Sequence, residues 1–144
     1  MSAFGYSDSD QRQWTPSVAI DFKVGYGLTE QYELFLVNKT SWFLQDTLEY
    51  FYPKFNLEFG GIVGAGLRYN VSLKERSMYF SWGGGLAYQS TLYSSGTTTG
   101  YGLFADIGYH WSAHWAVEFG LLYGNGDKFG EFIAPRIVIL ANAF

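Results

Sequence analysis

The chain has 144 residues, enough for one domain, yet charged residues make up only 15% of it and aromatic residues 21%, beside 18 Gly. A formal net charge of -4 leaves no evident basic surface to neutralise phosphates, which argues against a nucleic-acid partner. The absence of Cys excludes disulfides, cysteine-ligated metals and thiol catalysis, and no stretch reaches the ~18 uninterrupted apolar residues of a membrane helix. The opening "MSAFGYSDSD" has no charged region followed by an apolar one, so no export signal peptide is expected within this chain.

In chain order, period-two alternation predicts a series of strands and no domain boundary. Ala3 to Asp8 is a short candidate, alternating through Phe4 and Tyr6. The segment 17–28 sets Val18, Ile20, Phe22, Val24 and Tyr26 against Ala19, Asp21, Lys23 and Gly25. The segment 32–44 alternates more poorly, with Glu33 and Lys39 on one face. In 48–71, Leu57, Phe59, Val63, Leu67 and Tyr69 oppose Glu58, Ile62, Gly64 and Arg68. In 78–93, Phe80, Trp82, Leu86 and Tyr88 oppose Ser81, Gly83, Ala87 and Gln89. In 100–111, Leu103, Ile107, Tyr109 and Trp111 oppose Phe104, Asp106 and His110. In 115–125, Trp115, Val117, Leu121 and Tyr123 oppose Glu118 and Gly120, and 131–144 is apolar on both faces. Pro53 and Pro135 require strand ends, bulges or unpaired positions.

Three connections share a shape: "GYGLTEQYEL", "RYNVSLKERSMYF" and "GYHWSAHWAVEF" each place a polar turn between two aromatics. The others, such as "SSGTTTG" and "GNGDKFG", are turn chemistry, and "QDT" is expected to turn the chain between 44 and 48, which makes the outer connections short.

The faces decide between a water-soluble and a membrane barrel. The non-aromatic face is mostly Gly, Ala and Ser with a few charges of both signs, too small and too sparsely charged for a solvated exterior. It suits the interior of a narrow barrel. A lumenal polar network of Asp21, Lys23, Glu58, Arg68, Asp106, Glu118, His110 and Arg136 is expected there, joined by Glu33 and Lys39. Removing the charge of Arg68 is expected to destabilise such a plug. The opposite face is expected to meet lipid through Val18, Phe22, Leu57, Val63, Leu86, Ile107, Val117 and Leu121. Tyr26, Tyr32, Tyr69, Tyr109, Trp111, Trp115 and Tyr123 are expected to form an aromatic girdle.

The hairpins "GYGLTEQYELFL" and "GYHWSAHWAVEFGLLYG", with the terminal Phe144, resemble those of small bacterial outer-membrane barrels, namely the OmpA transmembrane domain, OmpX and the opacity-type surface proteins. The resemblance implies a single all-β domain over 1–144, an eight-stranded antiparallel up-and-down transmembrane β-barrel in the bacterial outer membrane. It implies membrane lipid or lipopolysaccharide and the outer-membrane assembly machinery as partners, no cofactor, and short turns on the periplasmic side. An inward Arg136 turns Phe144 inward as well under strict alternation, against the outward terminal aromatic usual in that family.

One enzyme reading competes. His110-x-Ser112 followed by Glu118 resembles the lipid A 3-O-deacylases, also small outer-membrane barrels, and a His base, Ser nucleophile and Glu orienter are chemically sufficient. Against it, that family's serine lies on a strand, whereas alternation here puts Ser112, Ala113 and His114 in a turn. No catalytic residue and no metal site is expected; the role is structural, surface-exposed or lipid-interacting. A lipid-A-modifying hydrolase and a soluble lipocalin-like carrier are the alternatives.

Overall fold

Alternating small and bulky residues suit a chain that stays extended and buries one face, and the computed structural model is antiparallel strand almost throughout. It describes the backbone of residues 2–8, 11–49, 52–74, 76–91, 97–127 and 130–141, and the side chains of 16–43, 57–74, 76–90, 97–127 and 130–141. Among the described residues the strands are β1 (Ser2–Asp8), β2 (Gln11–Gly27), β3 (Tyr32–Glu49), β4 (Tyr52–Asn70), β5 (Ser77–Thr91), β6 (Thr97–Ser112), β7 (Trp115–Gly126) and β8 (Gly130–Ala141). Each pairs with its sequence neighbour, and β1 also pairs with β8, which closes the sheet. The expectations for Phe144 and for the faces of Phe4 and Tyr6 lie outside the described residues.

The three aromatic-flanked turns, at 28–31, 71–76 and 113–114, share one end, called lower below. Thr29 shapes the first: its Oγ1 accepts from the backbone N–H of Tyr32 at 3.0 Å, and Leu28 N–H donates to Tyr32 O at 2.8 Å. At the upper end Gly126 pairs with Gly130, whose φ of 67° is the left-handed conformation that a short hairpin loop needs and glycine supplies.

Pro16 and Pro135 each sit beside a gap in one of their two ladders. The β2–β3 ladder ends at Ser17↔Phe43, next to Pro16. The β1–β8 register runs from Gly5↔Ile133 to Ser2↔Arg136, with no pair at Ala134 and Pro135 between them. A residue without an N–H cannot donate to a ladder, so each leaves a gap on one side while it pairs on the other, Pro16 with Ala3 and Pro135 with Leu121.

Strand limits differ from expectation in one place that matters. "QDT" does not turn the chain. Gln45, Asp46 and Thr47 continue β3, and six pairs from Leu44↔Leu57 to Glu49↔Tyr52 carry the β3–β4 ladder beyond Phe43 and Glu58, where its pairing with β2 and β5 ends. At ~3.3 Å per residue, this added ladder is about 20 Å long. Thr47 and its sequence neighbours Trp42, Phe43, Leu44 and Leu48 favour extension.

The outer face carries the large apolar residues. Val18, Phe22, Val63, Leu86, Ile107 and Leu121 are exposed, and Leu57 and Val117 are partly so. Aromatics bound this band in two rows. Tyr26, Tyr32, Tyr69, Tyr109, Trp111 and Trp115 lie towards the lower end; Trp42, Phe59, Tyr88, Tyr101 and Tyr123 lie towards the upper. Ring pairs tie neighbouring strands, with centroids 5.1 Å apart for Tyr32–Tyr69 and again for Trp42–Phe59. Tyr32 to Trp42 and Phe59 to Tyr69 are ten-residue steps, about 23 Å between rows at a 45° tilt. Asn38 and Thr40 interrupt the band and satisfy each other: Thr40 Oγ1 donates to Asn38 Oδ1 at 3.0 Å, and Tyr88 OH donates to the same oxygen at 3.1 Å.

The interior is not uniformly polar. Phe35, Val37, Phe43, Ile62, Ala87, Phe104, Leu122, Phe132 and Ala134 form an apolar cluster inside the barrel. Poor alternation in β3 has this cause: Phe35, Val37 and Phe43 point inward with Glu33 and Lys39. Inward glycines accommodate the rings. A Cβ on Gly108 would fall within the ring of Tyr79, and one on Gly124 within that of Phe132. Tyr79 is fully buried and cannot swing aside. Gly108→Val is therefore expected to destabilise by about 1–3 kcal/mol through overpacking, measured by urea unfolding in micelles. An unchanged midpoint would mean that the ring has room to move.

Candidate functional site

Alternation sends one charged side chain, or two, inward from each of several strands, and the barrel's curvature brings them together. Asp21 and Lys23 come from β2, Lys39 from β3, Asp106 from β6, Glu118 from β7 and Arg136 from β8. Lys39 Nζ lies 3.1 Å from Asp21 Oδ2, 2.9 Å from the Asp106 carboxylate and 3.8 Å from Glu118 Oε2. Lys23 Nζ donates to Glu118 Oε2 at 2.6 Å and lies 3.9 Å from Asp106 Oδ2. The Arg136 guanidinium pairs with Asp21. Three cations thus face three carboxylates, all with side chains at most 9% exposed.

Neutral groups complete the cluster. Ser81 Oγ donates to Asp106 Oδ2 at 2.9 Å, and Tyr79 OH donates to Glu118 Oε1 at 2.8 Å. Lys39 stands 5.1 Å from the Phe104 ring centroid and Lys23 5.4 Å from that of Phe35, so apolar rings wall the ions on one side. Gly120 makes room, because a Cβ there would fall on the Asp106 carboxylate.

The remaining interior groups form two smaller sets. Arg68 Nη1 donates to Glu33 Oε2 at 2.9 Å, and its guanidinium lies 4.7 Å from the Tyr79 ring, which in turn packs on His110 at 4.6 Å. Glu58 accepts from Gln89 Nε2 at 3.0 Å. Arg68 and Glu58 therefore engage residues of neighbouring strands, not each other.

Tyr79 is the member that sequence reasoning passed over. It sits in the apolar run Met78-Tyr79-Phe80, where neither face stands out, although counting back by twos from Gly83 and Ser81 turns it inward. Ser112 requires a correction. It is the last residue of β6, paired with Trp115, rather than part of the turn; a register shift between His110 and Ser112 absorbs Trp111 as a bulge, and only Ala113 and His114 turn the chain. The Glu118 oxygens meanwhile accept from Lys23 and Tyr79. The cluster's chemistry is that of fixed, mutually neutralising charges.

No protein-family model and no curated protein sequence matches the chain. The solved structures that resemble it include two of one protein. The crystal structure of Ail, the attachment invasion locus protein of Yersinia pestis, in complex with the heparin analogue sucrose octasulfate, has a TM-score of 0.65 at 11% identity, covering 97% of this chain and 92% of that one. A second crystal structure of Ail has a TM-score of 0.59 at 12% identity, covering 97% and 91%. At such identity the likeness establishes the fold, an all-antiparallel, up-and-down barrel of the kind that Ail forms.

Proposed function

We propose that this chain is a non-enzymatic protein of the bacterial outer membrane, with its lumen closed to ions and its β3–β4 hairpin presented at the cell surface. One observation carries the reading: the barrel is inside out, with its apolar residues around the exterior and its balanced charges within. In water the continuous exposure of Val18, Ile20, Phe22 and Val24 beside Leu34 and Leu36 would far exceed the apolar patch that a soluble monomer tolerates. In a bilayer it is the lipid contact, and the aromatic rows become the girdles at the two interfaces. The soluble-carrier reading has no comparable support. The fold shared with Ail, an outer-membrane β-barrel, favours the same location, with the short turns in the periplasm.

The heparin analogue bound by Ail is not carried over to this chain. In the sequence, the stretches 8–12, 46–54 and 127–131 hold Arg12, Lys54 and Lys128 against Asp8, Asp10, Asp46, Glu49, Asp127 and Glu131. An excess of carboxylates at that end repels a polyanion. The extended β3–β4 ladder instead suits contact with a neighbouring protein along its strand edges.

Against hydrolysis stand the engagement of Glu118 by Lys23 and Tyr79 and the place of Ser112 at the lower end, away from outer-leaflet lipid A. Two assays test the proposal together. Folded protein incubated with lipid A is expected to release no fatty acid, as is Ser112→Ala. In planar bilayers the monomer is expected to give no stable ion-selective currents. Release by the wild type alone would establish the hydrolase; steady currents would contradict the closed lumen.

A further inference from the structure

We propose that two copies of this chain pair side by side in the membrane through the outer face of β3 to β5, where Asn38, Thr40 and Tyr88 form a polar patch that meets its own copy across a twofold axis. The inference rests on the lipid-facing reading of the barrel's exterior and adds a partner to it.

Asn38 is a polar residue inside the apolar band. Between the two aromatic rows the outward positions of β3 run Leu34, Leu36, Asn38 and Thr40. Asn38 is exposed, and its cross-strand neighbours are Phe22 on β2 and Val63 on β4, themselves outward at 68% and 48% exposure. At a tilt of about 45°, the steps from Tyr32 and to Trp42 put Asn38 about 14 Å above the lower row and about 9 Å beneath the upper one. That depth is hydrocarbon, not interface.

The hydrogen bonds around Asn38 satisfy only one end of its amide. Thr40 and Tyr88 pair with Gly61 from opposite sides, and Tyr88 reaches across that buried glycine to bring its OH 2.6 Å from Thr40 Oγ1. Thr40 Oγ1 donates to Asn38 Oδ1 at 3.0 Å, and Tyr88 OH donates to the same oxygen at 3.1 Å. Among the described residues, nothing accepts from Asn38 Nδ2. Its two N–H groups are thus held at a depth that lacks water. A polar group so placed is costly until it finds a partner.

Depth and chemistry select that partner. Polar lipid groups belong to the interfacial layer at the Trp42 row, and the methylene chains beside Asn38 accept nothing. The patch itself sets the amide donors of Asn38 next to the hydroxyl oxygens of Thr40 and Tyr88, which keep lone pairs to accept with. Donors beside acceptors are complementary to the same pattern turned through a twofold. Copies in one membrane share an orientation, so the axis of a symmetric pair lies along the membrane normal, and a patch on it meets itself at equal depth. Phe22, Leu36 and Val63, all exposed around Asn38, then pack about the contact and keep lipid from it.

The chain has no cysteine, so introduced thiols report unambiguously. Leu36→Cys lies beside the patch, and Phe119→Cys is an equally outward site on β7, across the barrel. Each full-length variant is folded into vesicles at high lipid excess, checked by its unboiled migration on a gel, and treated with a short bis-maleimide. Leu36→Cys is expected to form linked dimers about tenfold faster than Phe119→Cys, and adding Asn38→Leu should bring it down to the Phe119→Cys rate. Asn38→Leu continues the apolar band, so it should fold at least as well in lipid as the parent chain. Equal linking at the two sites in a chain that needs lipid to fold would overturn the pairing and leave the membrane reading intact. Linking at Leu36→Cys that survives Asn38→Leu would also overturn it, because the patch would not be what joins the copies. A lipid held by the monomer in native mass spectrometry, and lost with Asn38→Leu, would make lipid the occupant. A wild-type chain that folds in plain buffer would sink both readings.

Discussion

Lys39→Met is expected to destabilise the barrel by about 3–5 kcal/mol, the usual result of stranding buried charges. Lys39 is 1% exposed and lies within reach of Asp21, Asp106 and Glu118, so its loss leaves three carboxylates facing two cations in an interior walled by Phe35 and Phe104. A second substitution sharpens the test. Asp106→Asn in the same chain restores the charge balance, and part of the lost stability should return, with non-additivity of about 0.5–3 kcal/mol as expected for contacting residues. Arg68→Met should cost less, because its partner Glu33 has a side chain 24% exposed and can turn to water. Urea midpoints in micelles, with Asp106→Asn alone included to close the cycle, measure all five proteins. Equal losses for Lys39→Met and Arg68→Met would mean that the six-charge cluster is not the main support of the interior.

Ile107→Arg is expected to cost about 2–4 kcal/mol in a bilayer, the depth-dependent penalty for a cation on the lipid face of a barrel. Ile107 is outward and exposed, and lies between Tyr101 and Trp111 of the same strand, so it falls within the apolar band. The same substitution at Trp115, in the lower aromatic row, should cost about 0–1 kcal/mol because the guanidinium reaches the interface. The comparison removes any general effect of adding arginine. Reversible unfolding from lipid vesicles gives both values. Equal penalties at Ile107 and Trp115 would argue against a bilayer around this face.

Legibility varied along the chain for physical reasons. Apart from inward Phe104 and Leu122, β7 and β6 as far as its bulge alternate mostly large outward with small or polar inward residues, so Asp106 and Glu118 can be put on one face from sequence, and their side chains are buried together. β3 defeats the same rule, because its inward face holds Phe35, Val37 and Phe43 beside Lys39; a lumen that packs rings against ions has no single polarity to read. The extent of β3 and β4 is obscured by "QDT", whose polar residues mimic a turn while their neighbours favour extension. Ser112 is misplaced by one bulge, which period-two counting cannot detect. Which charges meet is a property of closure: Asp21 and Arg136 are 115 residues apart, and only strand order brings them together.

The central claim, an inside-out barrel made for lipid, is tested most directly by the solvent the chain needs in order to fold. Purified protein should form β-sheet only with detergent or lipid, and should migrate differently on a gel before and after boiling, as a sheet that resists detergent until heated. A folded, soluble monomer in plain buffer, with a single mobility regardless of heating, would contradict it.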